Sequence, residues 1–170
     1  MVEIRNIRNS IVNGLYEHMN LIPIPVESVR EKEPYPFITY NFINPYTQFN
    51  GMGNYRSELA PSNDPKFNHA IMESLELQPQ ATISINTYSK DKMEATELAH
   101  DVMAWFKHIG YQYLSDNNIV VVGIEAFGDR SGLIVDHQEY RIGFDVIIRF
   151  TDQIVKVTET IEDINVDIKQ

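Results

Sequence analysis

Histidine and carboxylate side chains are the residues of this sequence whose types could support metal or acid–base chemistry. Two of the five histidines, His100 and His108, fall on one predicted helix, with Glu97 and Asp101 close to the first of them. Helical zinc ligands usually stand four residues apart and are completed by a ligand from another element. The two histidines stand eight residues apart instead, so we expect a solvated helix face rather than a metal site. The remaining histidines are isolated and are expected to be structural or exposed: His18, His69 and His137.

No other arrangement of catalytic residues stands out in the sequence. It contains no cysteine, no Gly-x-Ser-x-Gly motif and no Walker phosphate-binding loop. Gly51 and Gly53 lack the third glycine and the flanking strand and helix of a dinucleotide site. Asp145, with Arg141 and Arg149 four residues to either side, is expected to form a cross-strand ion pair on an outer sheet face. We therefore predict that the protein is not an enzyme and binds no metal or cofactor.

Composition narrows the class of protein further. The 170 residues predict one domain, and the formal net charge of −10 comes without any basic cluster. Sequence-specific binding of nucleic acid is therefore not expected. Acidic walls would suit a pore through which DNA slides, although negative charge commonly serves only solubility. No apolar run is long enough to span a membrane, the first residues do not resemble a signal peptide, and the lack of cysteine fits a reducing cytoplasm.

The elements that position these residues are organised around one predicted strand, Tyr140 to Phe150. Apolar and mostly polar residues alternate along it with a period of two, which is typical of a strand with one buried face. Eleven residues is long for a strand, so we expect it to cross the whole sheet. Its predicted core face consists of large side chains: Tyr140, Ile142, Phe144, Val146, Ile148 and Phe150.

Two amphipathic helices are predicted to cover this sheet. The first spans residues 2–19 and stops at Asn20; the second spans about 90–109, is capped by Ser89 and ends at Gly110. Further strands are predicted at 22–26, 37–43, 80–88 and 119–127, while 67–77 is compatible with helix or strand and we favour strand. The segments 67–77 and 80–88 are expected to form an antiparallel pair or one bent strand. The fold class is α+β, a mainly antiparallel sheet with both helices packed on one face.

Two segments have sequence features that are typical of contacts between subunits. Residues 44–66 form a long loop, arm or hairpin that is rich in turn residues and exposed aromatics, and residues 151–170 form a C-terminal extension that could add a strand to a neighbour's sheet. The alternatives are a loop folded over its own core and a last strand of its own subunit. Predicted interface residues are Tyr46, Phe49, Met52, Tyr55, Arg141, Asp145, Arg149, Ile161, Ile164 and Val166. If the subunits enclose a pore for DNA, the acidic residues predicted to face its lumen are Glu159, Glu162 and Asp163.

Four blocks of the sequence resemble a family of phage and prophage proteins, the neck or tail-terminator (head–tail joining) proteins of long-tailed phages. These blocks are EPYPFITY (33–40), ELQPQATISINTYSKD (76–91), AWFKHIGYQYLSDNNIVVV (104–122) and LIVDHQEYRIGFDVIIR (133–149). The resemblance runs in order from the first helix to about Thr160. The segment INVDI near the C-terminus matches the family pattern least well.

This resemblance implies a small α+β subunit that forms a ring, usually a homohexamer. The ring terminates the tail tube, meets the head-completion or connector protein and lets genomic DNA pass through its lumen. It implies a structural virion protein of the neck, present in the host cytoplasm during assembly, without enzymatic activity, cofactor or membrane. Alternatives are an assembly chaperone that never enters the virion and a small-ligand-binding or enzymatic α+β domain.

Overall fold

A computed structural model describes residues 3–27, 34–48, 51–134 and 137–160, without the side chains of residues 133–138. The elements follow one another as helices and strands of an α+β fold. They are α1 (Ile4–Met19), β1 (Ile24–Pro25), β2 (Phe37–Thr47), β3 (Asn54–Pro61), β4 (His69–Leu77), β5 (Gln80–Ser89), α2 (Lys92–Ala104), a π-helical turn (Trp105–Ile109), α3 (Tyr111–Asp116), β6 (Ile119–Asp129), β7 (Gly132–Ile134), β8 (His137–Phe150) and β9 (Asp152–Glu159).

The main sheet is built around β8, as the alternating pattern predicted. Its strands are ordered β1-β2-β5-β8-β6, with β7 paired to the start of β8. The short β1 lies parallel to β2, and the other pairs are antiparallel. β8 pairs with β5 on one side and with β6 on the other, so it connects the two halves of the sheet.

Both long helices pack on one face of this sheet, which confirms the predicted fold class. The even-numbered residues of β8 and the odd-numbered residues of β5 point into this layer, where they meet α1 and α2. Cross-strand neighbours lie on the same face, so one register fixes the whole apolar surface. The most deeply buried large side chains of this core include Leu15, Ile38, Ile83, Ile85, Val102, Phe106, Phe144, Val146 and Ile148.

The ends of the helices agree with the sequence only in part. Asn20 ends α1 as predicted, in the left-handed region at φ 53°, with its N–H bonded to the carbonyl oxygen of Tyr16. The prediction that Ser89 caps the second helix is wrong. Asp91 is the cap, because its carboxylate accepts the backbone N–H of Glu94 at 2.9 Å. The buried Ser89 hydroxyl instead bonds to the Glu94 carboxylate.

A π-helical turn changes the expected face at the end of the second helix. The wider turn shifts the register of the side chains, so Trp105 and Phe106 are buried while Ile109 is exposed. The prediction that Gly110 ends the helix is wrong for the helical region as a whole. The chain continues into α3, and the Tyr113 ring packs near Trp105.

Strands β3, β4 and β9 form a second, three-stranded sheet that we call the arm. Within residues 44–66, β3 forms with β4 the hairpin that was one of the predicted forms of this segment. β9 pairs with β4 of its own subunit, so for residues 152–159 a strand added to a neighbour is wrong and the alternative of a last strand holds. β2 also runs past its predicted end to Thr47, because Pro45 lies where the pairing with β5 shifts register. β4 does not pair with β5, so the predicted antiparallel pair is wrong. The two strands follow one another along the chain, as in the alternative of one bent strand.

The arm is a direct continuation of the main sheet. β4 pairs with β9 and β5 pairs with β8 in a single unbroken register, from Ala70 opposite Glu159 to Ser89 opposite Tyr140. A hydrogen bond of 3.2 Å from the Phe150 N–H to the Pro79 carbonyl oxygen bridges the junction. The two strands therefore form one long ribbon, and the arm projects as an ordered extension of the core sheet.

Candidate assembly interface

One face of the arm carries exposed apolar side chains that no described helix covers. The alternation of side chains carries the helix-covered face of the main sheet outward onto the arm, where no helix within the described residues packs on it. Leu59 is 66% exposed and Tyr55 is 61% exposed on this surface. We call this surface the bare face and define it by Tyr55, Leu59, Ile71, Leu75 and Ile154.

A polar contact crosses the middle of the bare face. The Tyr55 hydroxyl donates a hydrogen bond to the Glu73 carboxylate, and Lys156 Nζ lies 3.3 Å from the other oxygen of that carboxylate. The Tyr55 hydrogen bond, followed by Lys156, lowers the pKa of Glu73, and the same hydrogen bond raises the pKa of Tyr55. All three strands of the arm are thus connected through side chains as well as through the backbone ladder.

Tyr55→Phe is expected to raise the pKa of Glu73 toward its ordinary value of 4.5, because the largest stabiliser of the carboxylate is removed. A lowered carboxyl pKa adds stability above the unfolded-state value, and that stability is lost as the pH falls through the folded-state value. The variant should therefore lose less stability on acidification. NMR titration of the Glu73 side-chain carboxyl measures this shift. The exposed Tyr111→Phe is the control, and an unchanged Glu73 pKa in Tyr55→Phe would contradict the assignment.

The opposite, helix-free face of the main sheet carries a polar cluster over half of its area. Arg130, which directly follows β6, lies 3.1 Å from Asp145 and donates a 2.8 Å hydrogen bond to the Ser84 hydroxyl. The predicted ion pair of Asp145 thus exists on the expected face, but its partner is neither of the flanking arginines. Arg141 instead donates to the Asn86 side-chain oxygen at 3.1 Å, while Arg149 is exposed.

The polar cluster does not extend over the other half of this helix-free face. Val120 pairs with Arg149 in the β6–β8 ladder, so the valine lies on the same face as the arginine. Val120 is 43% exposed, Val122 is similarly exposed in the adjacent bulge, and Ile147 is half-buried. We call this surface the half-face and define it by Val120, Val122, Ile147 and Arg149.

The predicted interface residues are distributed over several places. Tyr55 lies on the bare face, Arg149 on the half-face, and Arg141 and Asp145 in the polar cluster. Met52 is almost fully exposed beside the start of β3. The other predicted interface residues lie at the junction between the two sheets or outside the described residues.

Tyr46 lies at the junction between the two sheets. Its hydroxyl donates to the Asp152 carboxylate at 3.3 Å and its ring contacts Phe150. Burial, followed by the Asp152 charge, raises the pKa of Tyr46. Glu159 is half-buried at the outer end of β9, opposite Ala70. The predicted residues that lie outside the described part of the chain are Phe49, Ile161, Ile164, Val166, Glu162 and Asp163.

Sequence reasoning missed most of the bare face. Leu59, Ile71, Leu75 and Ile154 were not predicted as interface residues. A signal was present, because Ile71 and Leu75 hold the alternate positions of a strand that also contains Leu77. It was obscured by the glycines and prolines of residues 44–66, which favoured a loop and left β4 without an evident partner.

Reactive chemistry has little support in the described part of the chain. No cluster of three or more potential metal ligands occurs among the residues that the structure describes, and His100 contacts Phe127 with ring centroids 4.8 Å apart. A cavity of about 770 Å³ lies beside the end of α1, and Tyr16 is the one titratable residue among its described lining residues. None of the described helices is long and apolar enough to span a membrane.

Within the described residues, this geometry is that of an α+β subunit with a sheet arm whose exposed apolar side chains are typical of a surface for contacts with other proteins. The sequence profile described as phage neck terminator protein matches residues 9–170. The chain belongs to this family of structural phage neck proteins, which makes it a component of the virion neck that contacts other head or tail proteins. No curated protein shows significant sequence similarity to the chain.

Proposed function

We propose that the protein forms a ring that terminates the tail tube and joins it to the head connector, with the genomic DNA passing through the lumen. The observation that carries this proposal is the arm, whose apolar face extends beyond the helices that cover the same face of the main sheet. An apolar sheet face left in water is unfavourable and marks a surface for association. Membership in the neck terminator family supports the same conclusion.

The ring is proposed to be a hexamer that assembles at the end of the tail. The arm is about 14 Å wide for three strands and about 26 Å long for eight residues, which gives about 370 Å² for one face. This is about half of the roughly 800 Å² per partner that a stable interface buries. Contacts of this size support a monomer in dilute solution, with the tube end as the template that holds neighbouring copies together.

The acidity of the chain supports a lumen that repels the DNA backbone. The net charge of −10 would keep DNA from adhering to the ring. We propose that Glu159, together with Glu162 and Asp163, faces this lumen. We further propose that residues 1–170 act as one domain, that the protein has no catalytic activity or cofactor, and that it resides in the host cytoplasm until assembly.

Light scattering and negative-stain imaging of the purified protein, alone and mixed with purified tail tubes, test this proposal. The expected result is a monomer in dilute solution and a ring at one end of each tube, with a hole wide enough for duplex DNA to pass. A stable hexamer in dilute solution would refute template-driven assembly. A protein that ignores the tubes would refute the terminator role and favour an assembly chaperone or a ligand-binding domain.

A further inference from the structure

We infer that the bare face of one copy packs on the half-face of the next copy around the ring. This inference rests on the proposed ring and specifies which two surfaces form its repeating contact. Both surfaces are described above from independent observations. One is the apolar face of the arm, and the other is the uncovered part of the helix-free face on β6 and β8.

The occupant of the bare face must be apolar and extended. Four of its five defining residues are aliphatic, and the five form two cross-strand rows on either side of the polar row that contains Glu73 and Lys156. In the main sheet, the same face is covered by α1 and α2. An antiparallel sheet normally has one face packed on a core, so the arm needs an equivalent cover from outside the described part of its own chain.

The half-face has the properties of such a cover. It is a strand surface with exposed valines, and two sheets pack face to face at a spacing of about 10 Å. The match is apolar and not electrostatic, because Glu73 on the bare face is already paired with Lys156 and Asp152 is buried. The other three acids of the arm, Glu58, Glu76 and Glu159, lie on its opposite face.

The contact joins two different surfaces, which decides the type of assembly. An interface that uses the same patch on both subunits closes a dimer, whereas a head-to-tail interface builds a ring when its rotation closes. Each copy would give its arm to one neighbour and receive the arm of the other. Two modest contacts per subunit then hold each copy in the ring, in agreement with the small area of a single face.

Site-specific photocrosslinking tests this contact directly, since the chain contains no cysteine of its own. Leu59→Cys is labelled with a benzophenone maleimide, mixed with ¹⁵N-labelled unmodified protein and assembled on tail tubes. After irradiation, mass spectrometry should find crosslinks between isotopically different copies that map to residues 119–123 or 147–149. Val120→Cys, labelled in the same way, should give the reciprocal crosslinks to β3 or β4.

The control, and the outcomes that would contradict this inference, distinguish a failure of the arm contact from a failure of the proposed ring. Labelled Met93→Cys, at an exposed position on α2, should give no crosslinks to the half-face. If rings form but the crosslinks map to the tube protein, to the helices or only within one copy, the arm contact is refuted. The proposed ring is then still supported. The absence of rings on the tubes would refute the ring and this contact together.

Discussion

Substitution of Leu59 by aspartate is expected to weaken assembly on tail tubes by about 100-fold. Leu59 is 66% exposed and lies in the apolar row opposite Ile71, so the change leaves the core of the subunit intact. In the assembled ring, however, the new carboxylate would lose water without gaining a partner. A factor of 100 in affinity corresponds to about 3 kcal/mol, which is the usual cost of burying a polar group without a partner.

The measurement is the protein concentration at which half of the tube ends carry a ring in negative-stain images. Met93→Asp is the matched control, because it adds the same charge at an equally exposed apolar position on α2. Both variants should unfold within about 0.5 kcal/mol of the unmodified protein, as surface substitutions usually do. Equal weakening by the two variants would indicate a general charge effect and would argue against a specific role for the arm.

Substitution of Gly143 by alanine is expected to lower the free energy of unfolding by about 3 kcal/mol. A Cβ atom at this position would lie 2.3 Å from the Asn86 side-chain oxygen and 2.9 Å from the backbone oxygen of Ile85. The backbone of a central strand cannot retreat, so Asn86 must move. Asn86 is 1% exposed and accepts hydrogen bonds from Arg130 and Arg141, and its displacement would disturb both contacts.

Chemical denaturation of the variant measures this loss of stability. Gly123→Ala is the matched control, since this glycine also lies in the main sheet on the helix-free face but has no atom within 4 Å of its added Cβ. The control should change stability by less than about 1 kcal/mol, within the range of ordinary surface changes. A neutral Gly143→Ala would mean that Asn86 is not held between β5 and β8 as described.

These two predictions concern different sheets, since Leu59 lies in the arm and Gly143 lies in the main sheet. Gly143 allows the polar cluster to close over the far half of the helix-free face, where Arg130 reaches Ser84 and Asp145. The near half stays open, next to the junction with the arm. The closed half therefore stabilises the subunit, and the open half is the part proposed to accept a neighbouring copy.

The sequence by itself determined the elements whose physics is local. The alternation from Tyr140 to Phe150 predicted the central strand because a strand exposes successive side chains to opposite faces. The apolar stripe of α1 and the left-handed stop at Asn20 were readable for the same reason. The resemblance of four ordered sequence blocks indicated a phage neck protein, and the family match confirms that class.

Only the tertiary structure decided what depends on partners far apart in the sequence. The pairing of β4 with β9 joins segments about 80 residues apart, and no local pattern reveals that they continue the β5–β8 ribbon outward. The ion pair of Asp145 was predicted without a partner, because Arg130 reaches it only through the course of β6. The bare face was missed because a strand pattern shows which side chains share a face, whereas the tertiary structure shows that the covering helices end before the arm begins.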